Sequence, residues 1–165
     1  MDLVVFGAQW LHVLLGITWF GNSLVVAAIL IPSLNPLPIP MQREVGARYG
    51  ERATRLFDVV VPSLIILGLV RGTLLGPIKD VGEVLGMPYG ITWLVALIAA
   101  IATFFWGRIV INGALRRMND APVNSDGTAT VQLEAETARV KLVVVLELVG
   151  FLVIFTCMIL MRFGV

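Results

Sequence analysis

The chain has 165 residues, of which 58% are hydrophobic and 14% charged, with a mean hydropathy of +0.94 and a formal net charge of +1. Such a mix excludes an ordinary soluble domain and predicts an integral membrane protein, and the near-neutral charge without a dense Lys/Arg run excludes nucleic acid as a partner. The lone Cys157 rules out an intramolecular disulfide and any cysteine-based zinc or iron–sulfur site.

A helix needs about 20 apolar residues to cross a bilayer, and four segments meet that length, at 3–31, 59–76, 89–114 and 142–162. The predicted fold is all-α, a four-helix transmembrane bundle forming one domain over residues 1–165. The first span carries only Asp2 before its apolar run and no cleavage pattern, so it is read as a retained helix and not a signal peptide. After it, Pro32, Pro36, Pro38 and Pro40 predict an extended connection. The charged stretch from Arg43 to Asp58 is expected to run into the second span as one long helix, bent near Pro62. Gly76 and Pro77 close that span, and Gly86 to Gly90 open the third. Asn119 to Gly127 is a turn-rich polar patch, and Glu134 and Glu136 occupy the first turns of the last helix, where acids are favoured.

Four crossings put both termini on one side. The two connections on the opposite side, with their flanks, hold Arg43, Arg48, Arg52, Arg55, Arg108, Arg116, Arg117, Arg139 and Lys141, against Arg71, Lys79 and Arg162 on the terminal side. By the positive-inside rule both termini face outward from the cell (inner) membrane.

His12 is the only histidine, and it lies within the first span. At 1.5 Å per residue it sits about 13 Å along the helix from Leu3, in the outer half of the membrane. Ionisable groups at that depth are candidate functional sites. Ala8, His12, Gly16, Trp19, Ser23 and Ala27 fall on one helical stripe. Gly16 leaves room for a flat ligand against the backbone and Trp19 supplies an aromatic wall. A single imidazole, an apolar slot and a cation for the propionates meet the needs of a haem, with His12 as iron ligand. The same stripe also suits plain helix packing, and an intramembrane histidine can instead hydrogen-bond across an interface.

Arg71, about 8 Å from the outer end of the second span at Gly76, is placed to meet a haem propionate, or to reach the outer headgroups. Tyr89 and Trp93 begin the third span on that side and can line the mouth of the pocket. Met158, Cys157 and Met161 occupy the outer part of the fourth span, Met158 being a possible sixth ligand to iron. Without one, the iron is open to a diatomic gas (NO, O2 or CO). In the inner half Asn22, Asp58, Arg108 and Glu147 form a polar layer, with Arg108 and Glu147 at matching depth and expected to pair. That layer reads either as structural glue or as a proton path. Small residues Ala96, Ala99, Ala100 and Gly107 on the third span are a candidate surface for homo-oligomer formation.

The run Leu11-His12-Val13-Leu14-Leu15-Gly16-Ile17-Thr18-Trp19-Phe20-Gly21 resembles the histidine, six residues, Trp-x-Gly opening of a superfamily that includes the copper-resistance D proteins and the HemJ-type protoporphyrinogen oxidases. The resemblance covers about 30 residues well and the other spans in outline. It implies a helical bundle with haem b in the outer leaflet and His12 at the ligand position. HemJ-type oxidases carry a lysine in a later span, where this chain reads Tyr89-Gly90-Ile91-Thr92-Trp93-Leu94-Val95-Ala96-Leu97. The function expected is electron transfer or diatomic-gas binding at haem, in contact with a redox partner or a gas. The alternatives are a HemJ-like porphyrinogen oxidase and a non-catalytic copper-handling or scaffold protein; whether the chain is an enzyme stays open.

Overall fold

The computed structural model describes residues 2–164. Four long helices dominate it, each apolar enough to cross a membrane: α1 (Leu3–Leu34), α2 (Ile39–Gly72), α4 (Pro88–Asp120) and α5 (Val131–Arg162), with a short α3 (Val81–Gly86) between the second and the next. Each long helix packs on two others, in the ring α1, α2, α4, α5 and back to α1. Among the described residues the only β-type pairing is one bridge, between Val123 and Ala129 in the connection before α5.

The sequence explains most of the ends. Asp2 caps α1 by accepting the Val4 amide at 2.9 Å, and Thr130 caps α5 by accepting from Leu133 at 3.2 Å. Asp80 and Glu83 form a reciprocal capping box that starts α3, an element the sequence reading missed. Gly90 lets α4 lie against the α3 backbone, because a Cβ there would collide with the carbonyls of Glu83 and Val84. The Arg43 to Asp58 stretch is helical and continuous with the second span, as expected, with Pro62 inside the helix.

Two boundaries differ from expectation. Pro32 does not break the first helix, which runs on to Leu34. The residues before it, Val26–Leu30, form a π-helical turn in which the Ile31 amide reaches back to the Val26 carbonyl. That wider turn relieves the clash a proline ring otherwise makes with the preceding turn. Pro40 likewise lies in the first turn of α2, where a missing N–H costs nothing. At the other end α2 stops at Gly72 rather than Gly76, with Thr73 as its cap. Arg71 therefore lies in a last helical turn, beside carbonyls that attract a cation.

The centre of the bundle is an apolar cluster of Trp19, Val60, Val61, Leu64 and Phe151, in which Val61 is fully enclosed. Trp19 meets Phe151 edge to face at 4.7 Å, an arrangement worth about 1 kcal/mol beyond area burial. A second cluster, Ala114, Val140, Val143 and Val144, joins α4 to α5. Trp106 Nε1–H fixes that pair by donating to the Val143 carbonyl at 2.9 Å. Arg43 ties α2 to the C-terminal end of α4 by donating to the Ala121 carbonyl at 2.6 Å. Many large apolar side chains stay exposed, including Leu3, Val59, Ile98 and Leu152, which gives the bundle the outer surface a bilayer requires.

Candidate functional site

The half of the bundle that carries both chain ends encloses a cavity of about 500 Å³. Its wall includes all six residues singled out from the sequence as cofactor-binding: His12, Gly16 and Trp19 from α1, Arg71 from α2, and Tyr89 and Trp93 from α4. Met158 and Met161 line it from α5, whereas Cys157 packs away from it, buried. That volume lies within the range of ~300–1,000 Å³ usual for cofactor and small-molecule sites.

The imidazole is held against α2. A Cβ built at Gly68 would lie 3.3 Å from His12 Cε1 and 3.9 Å from Nδ1, so the glycine is what lets the ring approach this closely. Nδ1 is sealed and has no hydrogen-bond partner. The Leu64 carbonyl, one turn earlier on α2, acts on the ring but lies outside hydrogen-bond geometry for Nδ1. Nε2 also makes no hydrogen bond, and unlike Nδ1 it is not sealed off.

Trp93 approaches the same strip of α2 from the other side. Its Nε1–H donates to the Gly68 carbonyl at 3.2 Å, and its indole lies where a Cβ on Gly72 would otherwise sit. The two glycines thus expose bare backbone to both α1 and α4. Arg71, between them in sequence, has a buried Nε without a partner and takes part in no ion pair among the described residues. His12, Arg71 and Tyr89 line the same cavity. An orphaned imidazole nitrogen and an orphaned guanidinium nitrogen in one apolar cavity are unusual, because buried polar groups are nearly always satisfied.

The donor set of this cavity is of the kind a b-type haem requires. A haem needs one axial imidazole, a flat apolar slot and a cationic partner for carboxylates. His12, the largely apolar cavity wall around Gly16, and Arg71 supply these kinds of group. Among the described residues no group of three His, Cys, Asp or Glu side chains is arranged to hold a bare metal ion. A haem, whose iron has four porphyrin nitrogens, does not require one.

The polar layer lies around a second cavity, of about 660 Å³, in the opposite half of the bundle; Asn22, Asp58, Arg108 and Glu147 all line it. Its pairing differs from expectation. Arg108 bridges to Asp58 at 3.0 Å, not to Glu147. The reason is local: Arg108 lies in a π-helical turn, Trp106–Ile111, which changes the angular position of its side chain from that of a regular helix, and Gly107 is the residue beside Glu147. Asn22 accepts a hydrogen bond from the Tyr49 hydroxyl. Trp19 borders both cavities, while Val61 faces only the Glu147 cavity, the inner one on the expected orientation, and Leu64 and Phe151 only the His12 cavity, the outer one on that expectation, so the central apolar cluster separates them.

Three of the four small residues expected on an association surface are used inside the chain. Ala96 is buried, Ala100 lines the outer cavity and Gly107 abuts Glu147. The sequence reading also missed Gly68 and Gly72, although their Gly-x-x-x-Gly spacing inside an apolar span was a readable sign of close helix approach. Comparison with protein-family models, with curated proteins and with solved structures gives no match to this chain. The site therefore rests on its own residues.

Proposed function

We propose that this chain is a membrane-integral haem b protein with His12 as axial ligand, working in electron transfer or in binding a diatomic gas. The observation that carries the reading is the convergence on one largely apolar cavity of His12, the one imidazole of the chain, and Arg71, a cation with no ion pair among the described residues. The resemblance of the first span to haem-binding membrane proteins points the same way.

Bound there, a haem would supply a one-electron couple and a site for a small gas. The residues of the chain do the rest. His12 would present Nε2 as the donor, with Nδ1 turned to α2 against Gly68; a hydrogen-bond partner on that side would fix the tautomer of a ligating histidine. Arg71 holds a carboxylate by charge-assisted hydrogen bonds, which removes the penalty of its own unpaired guanidinium. Trp93, pinned on Gly68, and Trp19, pinned on Phe151, keep the slot flat and dry. Met158 is the side chain available for a sixth position. By the distribution of basic residues the cavity opens towards the outer face of the cell membrane.

One visible spectrum tests this reading. Protein purified after expression with ample haem is expected to show a Soret band that shifts on reduction and on exposure to carbon monoxide, and His12→Ala is expected to lose it. An unchanged band in His12→Ala, or purified protein carrying copper and no porphyrin, overturns the assignment.

A further inference from the structure

The inner cavity contains more polar chemistry than structural pairing explains. Tyr49 satisfies the Asn22 carbonyl oxygen and Asp58 neutralises Arg108, yet the Asn22 amide nitrogen and the Glu147 carboxylate have no hydrogen-bond partner in strict geometry, and neither is sealed from the cavity. Glu147 has the Ser23 hydroxyl beside it and is in no ion pair among the described residues. Its carboxylate lies against α4 because position 107 is glycine; a Cβ there would lie 3.1 Å from Oε1. A carboxyl at membrane depth with no cation paired to it among the described residues is retained against a real desolvation cost, which points to a ligand more than to glue.

The lining also restricts what that ligand is. Its ionisable residues are three bases, Arg43, Arg108 and Lys141, and three acids, Asp58, Glu134 and Glu147, so the wall has no net charge. A phosphate or fatty-acid headgroup would meet Glu147, an Arg108 already neutralised by Asp58 and an Arg43 held by the Met118 and Ala121 carbonyls, which leaves Lys141 as the cation of the lining without a partner among the described residues. Trp19, Phe57 and Phe104 add flat aromatic surface. The polar groups offer donors, from Asn22 and Arg108, together with an acceptor, Glu147. A neutral, lipid-soluble, flat ring carrying both carbonyl and hydroxyl oxygens matches this set, and the cavity size suits such a ring with part of an alkyl tail.

We propose that the inner cavity is a binding site for a membrane quinone and its hydroquinone, with the Asn22 amide donating to a ring carbonyl and Glu147 accepting from a ring hydroxyl. The site does not depend on what the outer cavity holds.

The test is equilibrium dialysis of a radiolabelled decyl-substituted benzoquinone, and of its hydroquinone, against the full chain in phosphatidylcholine nanodiscs, with empty nanodiscs giving the lipid partition. One saturable site per chain is expected. Loss of a hydrogen bond to a charged group weakens binding by about tenfold or more, so Glu147→Gln is expected to weaken the hydroquinone by that factor and the quinone less. Asn22→Ala is expected to do the reverse. Ile111→Trp, which fills the cavity from α4, removes the site, and Leu115→Trp serves the same purpose if the first variant is not recovered in helical form. His12→Ala keeps full quinone binding, which separates this proposal from the haem assignment. Uptake no greater than by empty nanodiscs, or equal uptake by wild type and a cavity-filled variant of native helicity, overturns it.

Discussion

At Gly68 three helices share a single point: the His12 ring from α1 lies over its Cα, and its carbonyl accepts from Trp93 on α4. A Cβ there would lie 3.3 Å from His12 Cε1, tighter than ordinary contact, so a larger side chain must push the imidazole aside. Gly68→Val is expected to displace the imidazole and to destabilise the bundle by about 1–3 kcal/mol, as overpacking does. The measurable outcome is loss of the Soret band in protein whose far-ultraviolet circular dichroism is unchanged; retention of the wild-type band would show that the imidazole position is not critical. His12, Gly16 and Trp19 were legible in the sequence because a helical stripe is a local property, fixed by a spacing of three or four. Gly68 was not singled out, since its importance depends on which side chains two other helices bring to it. The partner of Arg108 was misread for a related reason: equal depth on two spans is legible, but a π turn that redirects one side chain is not.

At the scale of elements, the connection between α4 and α5 is closed by its own side chains. Thr128 donates to Asp126 Oδ1 through both its hydroxyl, at 2.6 Å, and its amide, at 2.9 Å, and Asn124 donates to the Thr128 hydroxyl at 2.9 Å. Gly127 supplies the positive φ of +82° that the turn demands. The Thr128 hydroxyl, and next its amide, hold the Asp126 carboxyl below the ordinary carboxylate range. A lowered folded value means that the stabilisation is present above the unfolded value and is lost as pH falls through the folded one. Acidification is therefore expected to loosen this turn while the helices persist, seen as a lower protection factor of the Thr128 amide, its exchange rate being compared with the intrinsic rate at each pH. Asp126→Asn is expected to abolish that change, and a protection factor that stays independent of pH in the wild type would contradict it. The turn itself was anticipated from its Asn, Asp and Gly residues. The continuation of α1 through Pro32 was not, because proline reports a lost donor and a steric clash but not the wider turn that absorbs both.

For the whole molecule, direction in the membrane is set by charge outside the spans. The positive-inside rule, which turns both ends of the chain outward, predicts that Ser125→Cys, in a Cys157→Ala background, resists a membrane-impermeant maleimide in intact cells and reacts after permeabilisation, and that Lys79→Cys reacts in intact cells. The opposite pattern would invert the topology and place the His12 cavity on the cytoplasmic side. Composition and hydropathy, by themselves, determined that the chain is helical with four segments able to cross a bilayer, because the cost of an unsatisfied backbone in lipid leaves few other solutions. They also marked His12 as the one imidazole and Arg71 as a lone cation near a span end. Tertiary structure alone decided that these two share a cavity, that bare glycine backbone forms one of its walls, and that a second cavity lies beyond Trp19. The physical reason is that a periodic pattern fixes which residues share a helix face, while the rotation of each helix against its neighbours is fixed by close packing between side chains distant in sequence.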